Sequence, residues 1–252
     1  MAHKPDLVKL MLKAGREPGY RPMFDRALAG ATLWTPVADD GIGMETARGC
    51  LQVWDCDSVV GIPLFASLKR LKRSAGPGCP AVALEGREML AMSIEHDVPF
   101  LLEPDEKMMV MITPPVAREM LAPEPALAPR PRLVREGEPL VMRAMPVPDG
   151  VPDRLRRSLA IAWSAHANVR RAWLALVQAW PPEANPVEPA LGIDGSGDVY
   201  QALKDGALVV SAFYPRWPAM QLFDVTEAGD GDFSALFRAH GTPVYEARHI
   251  RH

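Results

Sequence analysis

Acidic side chains and one histidine crowd into a single stretch, residues 93–106, which reads SIEHDVPFLLEPDE. Carboxylates beside an imidazole are the residue types from which metal sites and general bases are built. Glu95, His96 and Asp97 are consecutive, however, and consecutive side chains at a helix end point in different directions. The sequence therefore predicts a solvated helix end, an exposed turn at 103–106, and no metal site.

The stretch GIDGSGD, residues 192–198, combines the glycines of a phosphate loop with the carboxylates of a calcium loop. Its glycine spacing departs from G-x-G-x-x-G, and no lysine follows as it does in a P-loop. Asp194 and Asp198 are not followed by the bidentate glutamate of an EF-hand. We therefore predict a tight turn, either between two strands or between a strand and a helix.

No serine lies in the G-x-S-x-G pattern of a nucleophile elbow, and the six histidines are scattered along the chain. Cys56 is flanked by Asp55 and Asp57, and two adjacent carboxylates disfavour the thiolate that a nucleophilic cysteine needs. The sequence thus predicts no catalytic residue and no cofactor. A non-catalytic protein is expected.

The most basic segment is FASLKRLKRSAG, residues 65–76. With Ser67 as N-cap and Gly76 after the last turn, a helix here separates apolar from charged side chains. The apolar stripe comprises Leu64, Leu68 and Leu71, and the cations on the opposite side comprise Lys69, Arg70 and Arg73. No aromatic ladder flanks them and the chain has a net charge of -3, so nucleic-acid binding is disfavoured.

The composition limits the classes of protein to which this chain can belong. The chain has 252 residues, of which 48% are hydrophobic and 23% charged, which is enough to bury a core in one large or two smaller domains. Cys50, Cys56 and Cys79 form no C-x-x-C pair, which favours a reducing compartment. Lysines interrupt the N-terminal segment, and no apolar run reaches 18 residues. A soluble, cytoplasmic protein without a membrane segment is expected.

Proline marks a domain boundary. The segment LAPEPALAPRPRLV has prolines at near-alternate positions, which predicts a stiff connector at 122–132. Helix and strand signals alternate before it, at 1–121, and again after it, at 133–252. The expected architecture is therefore α/β or α+β, with two mixed helix and strand domains joined by a proline-rich linker.

In the second domain, residues 151–180 are predicted to be mostly helical, with Asn168 capping the second of two helices. Tryptophans and methionines near this region and before the linker either belong to the core or line a ligand groove. They are Trp163, Trp173, Trp180, Met108, Met109 and Met111.

The first domain resembles the N-terminal domain of the SseB family, the enhanced serine sensitivity proteins. The resemblance rests on LWTPV, on VVGIPLFAS entering a helix, and on GREML, VPFLLEPDE and TPPVAREML in that order. Phe65 and Ser67 match two of the three positions of the family's Phe-Thr-Ser-like step. Glu103 and Asp105 flank the proline that remains of its Asn-Pro-Gly-type turn.

The second domain is similar to the C-terminal domain of the same family. The segments that carry this similarity are VRRAWLALV, PALGID and TPVYEAR. These motifs are structural, and the resemblance implies no established chemistry. It leaves Phe65, Ser67, Glu103, Asp105 and Trp173 as candidate binding residues.

Two functions follow as hypotheses. The first is a non-catalytic, regulatory or adaptor protein that binds a protein or peptide partner of unknown identity. The alternative, implied by the family's name, is a small-molecule binder or enzyme connected with serine or sulfur metabolism. A groove with an apolar patch would favour the first, and a cleft of convergent polar groups would favour the second.

Overall fold

The chain divides into two compact units that both combine helices with β-sheets, which confirms the predicted mixed class. The first unit comprises Met1–Arg16 and Met23–Ala122, and the second comprises Glu17–Pro22 and Pro123–His252. The predicted linker at 122–132 lies outside the described residues and stays a prediction. The structure, a computed structural model, describes residues 6–38, 43–46, 49–56, 59–104, 109–121, 142–148, 150–215, 217, 220–226 and 231–247.

In the described part of the first unit, helices come first, a run of short strands follows, and helices and strands then alternate. The helices are α1 (Leu7–Arg16), α2 (Arg21–Ala29), α3 (Leu68–Ala75), α4 (Gly86–His96) and α5 (Pro114–Leu121). The strands are β1 (Thr32–Pro36), β2 (Met44–Thr46), β3 (Gly49–Leu51), β4 (Trp54–Cys56), β5 (Val59–Leu64), β6 (Ala81–Glu85), β7 (Phe100–Leu102) and β8 (Val110–Ile112).

The largest sheet of the first unit has the strand order β4-β5-β7-β8. Strands β5 and β7 are parallel, with Ile62 opposite Phe100 and Leu64 opposite Leu102. Parallel neighbours need a crossover connection, which here runs through α3, β6 and α4. These four side chains are buried and belong to the core of the first unit.

A second pair of strands, β1 and β6, is antiparallel and joins this sheet at one point. Trp34 of β1 bridges Phe65, the residue that follows β5. The backbone N–H and C=O groups of these two residues bond to each other over 2.8 Å in both directions. The end of β5 is therefore fixed between β1 on one side and β7 on the other.

The second unit contains one five-stranded sheet with the order β12-β11-β10-β13, and β9 also pairs with β10. Its strands are β9 (Met142–Met145), β10 (Val169–Ala179), β11 (Glu188–Gly195), β12 (Gln221–Asp224) and β13 (Thr242–Glu246). Its helices are α6 (Asp153–Trp163), α7 (Tyr200–Phe213) and α8 (Gly231–His240).

The predicted long helical region at 151–180 is wrong in its second half. Helix α6 forms as expected, but Val169–Ala179 is the longest strand of the unit and pairs with β9, β11 and β13. Residues 172–175 are buried in succession, so the strand lacks the polar alternation that would have identified it. Asn168 is correspondingly not a helix cap, and its side-chain amide donates to the carbonyl oxygen of Asp198 over 2.7 Å.

Residues Glu17–Pro22 lie between α1 and most of α2 in the sequence but belong to the second unit. Pro18–Tyr20 form a 3-10 turn, and the hydroxyl of Ser158 on α6 donates a hydrogen bond to the carboxylate of Glu17. A Cβ atom on Gly19 would collide with the carbonyl oxygen of Ser158. Only glycine permits this approach of the turn to the helix backbone.

The cap residues of α3 are confirmed, because the hydroxyl of Ser67 caps its first turn and Gly76 follows its last residue. Strands β3 and β4 are separated by a short segment without regular structure. Gln52 lies between them, and its side-chain amide donates to the carbonyl oxygen of Val37 over 3.1 Å. Among the helices that the structure describes, none is long and apolar enough to cross a membrane.

Candidate functional site

Three of the five predicted binding residues come together in the first unit. Phe65 and Ser67 lie between β5 and α3, and Glu103 follows β7, the parallel neighbour of β5. Asp105 lies outside the described residues. Trp173 is buried on β10 in a core cluster of the second unit.

Glu103 is buried, with 2% of its surface exposed, although the sequence predicted an exposed turn. Its backbone N–H donates to Leu64 over 2.8 Å and extends the β5–β7 pairing by one residue. Carboxylate atom Oε1 accepts from the backbone N–H of Ala66 over 2.8 Å, and Oε2 accepts from Nη1 of Arg70 over 3.1 Å. At Glu103 the solvated-turn prediction is wrong, because this carboxylate provides acceptors for the donors of the β5–α3 turn. Residues 105–106 of the predicted turn lie outside the described residues.

The backbone of Glu103 has a φ angle of +51°, in the left-handed region that favours glycine. A glutamate persists there when its surroundings compensate for the strain. The hydrogen bonds to Ala66 and Arg70 supply that compensation.

Ser67 and Phe65 fix the start of α3. The hydroxyl of Ser67 accepts from the backbone N–H of Arg70 over 3.3 Å, as an N-cap does. The ring of Phe65 is buried and packs edge-on against Trp54, with the ring centroids 5.9 Å apart. Phe65 therefore contributes to the site by packing in the core, and Ser67 lies at the surface of the site.

Arg70 corrects a further expectation. The helical pattern placed it with the solvent-facing cations, yet its side chain is only 27% exposed because it turns toward Glu103. Lys69 and Arg73 are exposed, as predicted, and Lys72 is exposed as well. Helix α3 thus uses one cation to anchor itself and presents the others to solvent.

Two adjoining depressions lie on either side of the start of α3, and Ser67 and Arg70 line both. The first has a volume of about 430 Å³ and is lined by apolar residues together with Asp6 and Thr32. The second has a volume of about 500 Å³ and is lined by the cations of α3. We call both depressions the α3 surface, lined by Leu7, Val8, Ala31, Trp34, Ala66, Ser67, Lys69, Arg70, Lys72 and Arg73 besides Asp6 and Thr32.

Asp6, at the start of α1, contributes a carboxylate to the apolar depression. The backbone N–H of Lys9 donates to this carboxylate over 3.2 Å, and the Lys9 ammonium lies 3.5 Å from it. The backbone hydrogen bond, together with the charge of Lys9, lowers the pKa of Asp6 below its ordinary value, although partial burial opposes this. Asp6 is therefore charged at neutral pH, and its carboxylate already accepts a hydrogen bond from the first turn of α1.

The second unit holds a polar cluster that the sequence did not indicate. Nε2 of His166 lies 2.7 Å from Oδ2 of the buried Asp205, and the other oxygen accepts from the side-chain amide of Gln201 over 2.9 Å. The carboxylate orients the imidazole ring, as it does in many functional histidine pairs. His166 and Asp205 are 39 residues apart in the sequence, so no spacing could have predicted the pair.

The two acidic stretches singled out from the sequence are otherwise as expected. Glu95, His96 and Asp97 are exposed at the end of α4. In the GIDGSGD segment, residues 192–195 are the end of β11 and residues 196–198 lie in the connection from this strand to α7. Among the described residues, no group of three or more metal-binding side chains converges.

Asp194, within that segment, is buried and paired with a cation. Its carboxylate accepts from Nη2 of Arg170 over 2.7 Å, and the same nitrogen donates to the carbonyl oxygen of Gly195. This pair fixes the end of β11 beside the start of β10. Its role is to join two strands of the sheet.

Comparison with known proteins identifies relatives along almost the entire chain. Residues 7–118 match the family model described as the SseB protein N-terminal domain. The chain is 24% identical to Protein SseB of Escherichia coli (strain K12) and to Protein SseB of Shigella flexneri, over 97% of this chain and 93% of each relative. No solved structure gives a significant match. The matched domain contains Phe65, Ser67 and Glu103, and together these similarities support membership of the SseB family.

Proposed function

We propose that this protein is a non-catalytic, peptide- or protein-binding protein of the bacterial cytoplasm, and that it binds its partner at the α3 surface. The observation that carries the proposal is the combination of an apolar depression and a row of exposed cations on either side of one helix start. Cys50, Cys56 and Cys79 form no disulfide, which supports a reducing compartment.

The shape of the surface favours a polypeptide over a small molecule. Pockets for small molecules enclose most of the ligand, whereas both depressions here are open to solvent. An extended segment can cross such a surface and contact both depressions at once. Trp34, which is half-buried, supplies the aromatic contact that anchors many such segments.

The charges define the chemistry of the partner. Lys69, Lys72 and Arg73 are exposed beside an apolar floor, so the favoured ligand carries an acidic residue close to an apolar one. Asp6 does not oppose this preference strongly, because Lys9 already neutralises it. Exposed charge pairs are screened by salt, so the affinity should fall moderately as ionic strength rises.

Selection from a random-peptide library on the immobilised full chain tests the proposal. We expect the enriched peptides to carry Asp or Glu within a few positions of an apolar residue. The variant Lys69→Glu, Lys72→Glu should lose this enrichment. The matched control Arg87→Glu, Arg118→Glu, which reverses two exposed charges elsewhere on the first unit, should keep it.

Two further arms distinguish other functions. A thermal-shift screen of free amino acids tests the alternative, and stabilisation by serine or a sulfur amino acid without peptide enrichment would contradict the binding role. A fluorescent single-stranded oligonucleotide tests nucleic-acid binding. Affinity for the oligonucleotide that decreases steeply with salt would also contradict the proposed peptide-binding role. The absence of any enriched peptide would likewise contradict the proposed peptide-binding role.

A further inference from the structure

The hairpin loop between β10 and β11 exposes a tryptophan. Trp180 and Val187, at the two ends of this loop, are 62% and 45% exposed. A single exposed apolar side chain is ordinary for a protein surface. Tryptophan, however, is enriched among the hot spots of protein interfaces. The loop at 180–187, which we call the Trp180 loop, lies in the second unit, and the α3 surface lies in the first.

Gln178 holds the Trp180 loop in one conformation. Its side chain is largely buried, and Nε2 donates to the carbonyl oxygens of Pro182 and Asn185 over 3.0 and 2.8 Å. Its Oε1 accepts from Arg143 of β9 over 2.6 Å. One amide therefore joins both sides of the loop to a neighbouring strand.

Further hydrogen bonds close the loop on itself. The side-chain amide of Asn185 and the backbone N–H of Ala184 both donate to the carbonyl oxygen of Pro181, over 2.9 and 3.1 Å. A loop ordered in advance loses little conformational entropy when it binds. Trp180 is thus presented on a rigid support, which is the arrangement that makes an aromatic side chain an effective anchor.

The charges of the loop are acidic. Glu183 is exposed at its tip, Glu188 lies at its base, and no Lys or Arg occurs from 180 to 188. The side-chain amide of Gln221 donates a hydrogen bond to the carboxylate of Glu188 over 2.5 Å. The nearby Arg143 donates a hydrogen bond to the side chain of Gln178. Glu183 is therefore the charge that a partner approaching Trp180 would meet.

We propose that the Trp180 loop is a second interaction surface, and that it inserts Trp180 into an apolar pocket of a protein partner whose rim carries Lys or Arg. The exposed ring supplies the buried anchor, and Glu183 supplies complementary charge at the edge. A nucleic acid or an anionic membrane is disfavoured because the loop is acidic.

Site-specific photocrosslinking in bacterial cells tests this proposal with the full chain. Ala184, an exposed neighbour in the loop, is replaced by p-benzoyl-phenylalanine so that Trp180 stays intact. The partner that becomes crosslinked is identified and purified, and its crosslinked segment is mapped. We expect a discrete protein, a contact among apolar residues flanked by Lys or Arg, and loss of the crosslink when Trp180→Ala is added.

Affinity measurements with the purified partner complete the test. Trp180→Ala should weaken binding about tenfold or more, and Glu183→Lys should weaken it by a smaller factor that disappears at high salt. The thermal midpoint of both variants should remain that of the wild type, because both side chains are exposed.

The same probe at Arg157, an exposed residue of α6, is the control for nonspecific capture. A crosslink that persists in the Trp180→Ala background, that appears equally from position 157, or that maps to an acidic surface would overturn the proposal. The absence of any crosslink from position 184 would overturn it as well.

Discussion

Glu103 is the residue on which the α3 surface depends most. Its carboxylate accepts hydrogen bonds from Ala66 and Arg70, and its backbone adopts a left-handed conformation at the end of β7. The acid therefore joins two parallel strands to the helix that follows one of them. Its function is positioning, because it fixes the point from which α3 presents Lys69 and Lys72.

Substitutions at Glu103 separate the side-chain contribution from the backbone strain. Glu103→Ala should lower the stability of the first unit by about 1–3 kcal/mol, because the N–H of Ala66 and the guanidinium of Arg70 lose their acceptors. Glu103→Gly loses the same bonds but relieves the positive φ, so it should be about 1 kcal/mol more stable than the alanine variant. Native-state hydrogen exchange of the β5 and β7 amides measures both differences. Equal stabilities would show that the backbone at this position is not strained.

Asp6 provides a pH-dependent prediction at the same scale. Asp6→Ala should destabilise α1 by about 0.5–1 kcal/mol at pH 7, through loss of the N-cap. The pKa of Asp6 is lower in the folded chain than in the unfolded one, so its contribution is present above the unfolded pKa, about 4, and is lost as pH falls through the folded value.

Urea unfolding between pH 2 and pH 7 measures this contribution. The free energy of unfolding of the wild type should exceed that of Asp6→Ala at pH 7, and the difference should shrink at the acidic end. Asp6→Asn keeps a capping acceptor that does not titrate, so its stability relative to Asp6→Ala should stay constant with pH. A difference between the wild type and the Asp6→Ala variant that does not change with pH would contradict the prediction.

At the scale of elements, local sequence signals predicted the cap residues of α3 and failed at strand β10 of the second unit. The caps of α3 are short-range features, because Ser67 and Gly76 need only their neighbours to act. Strand β10 has no comparable signal, because three strands surround it and residues 172–175 are buried in succession. Its apolar run fits a buried helix as well as a central strand, and only tertiary pairing decides between them.

The contact of the Pro18–Tyr20 turn with α6 provides a prediction for a pair of elements. Gly19→Ala would bring Cβ into collision with the carbonyl oxygen of Ser158 and to 2.9 Å from Cβ of Ile161, so the turn must move away from the helix. We expect a destabilisation of the second unit of about 1–3 kcal/mol, measured by hydrogen exchange of the α6 amides. Gly78→Ala is the matched control, since a Cβ atom there meets nothing within 4 Å. Unchanged exchange in α6 would show that the turn does not need this close approach.

At the scale of the whole molecule, the features that the sequence did not predict are contacts between residues far apart in the chain. The resemblance singled out Phe65, Ser67 and Glu103, and the structure places all three around the ends of β5 and β7. It could not show that Glu103 is buried against Arg70, since these residues are 33 positions apart and meet only through the β5–β7 pairing. For the same reason, the sequence could not predict that His166 pairs with Asp205. Nor could it predict that Glu17–Pro22 belong to the second unit.

The central claim is that the α3 surface binds a polypeptide, and hydrogen exchange of the full chain with a library-selected peptide tests it most directly. At saturating peptide, we predict slower exchange at residues 32–34 and 66–73, two of the segments that line the depressions. The Lys69→Glu, Lys72→Glu variant should show no such protection at the same peptide concentration. Protection confined to other segments, or none at all with the peptide bound, would contradict the account.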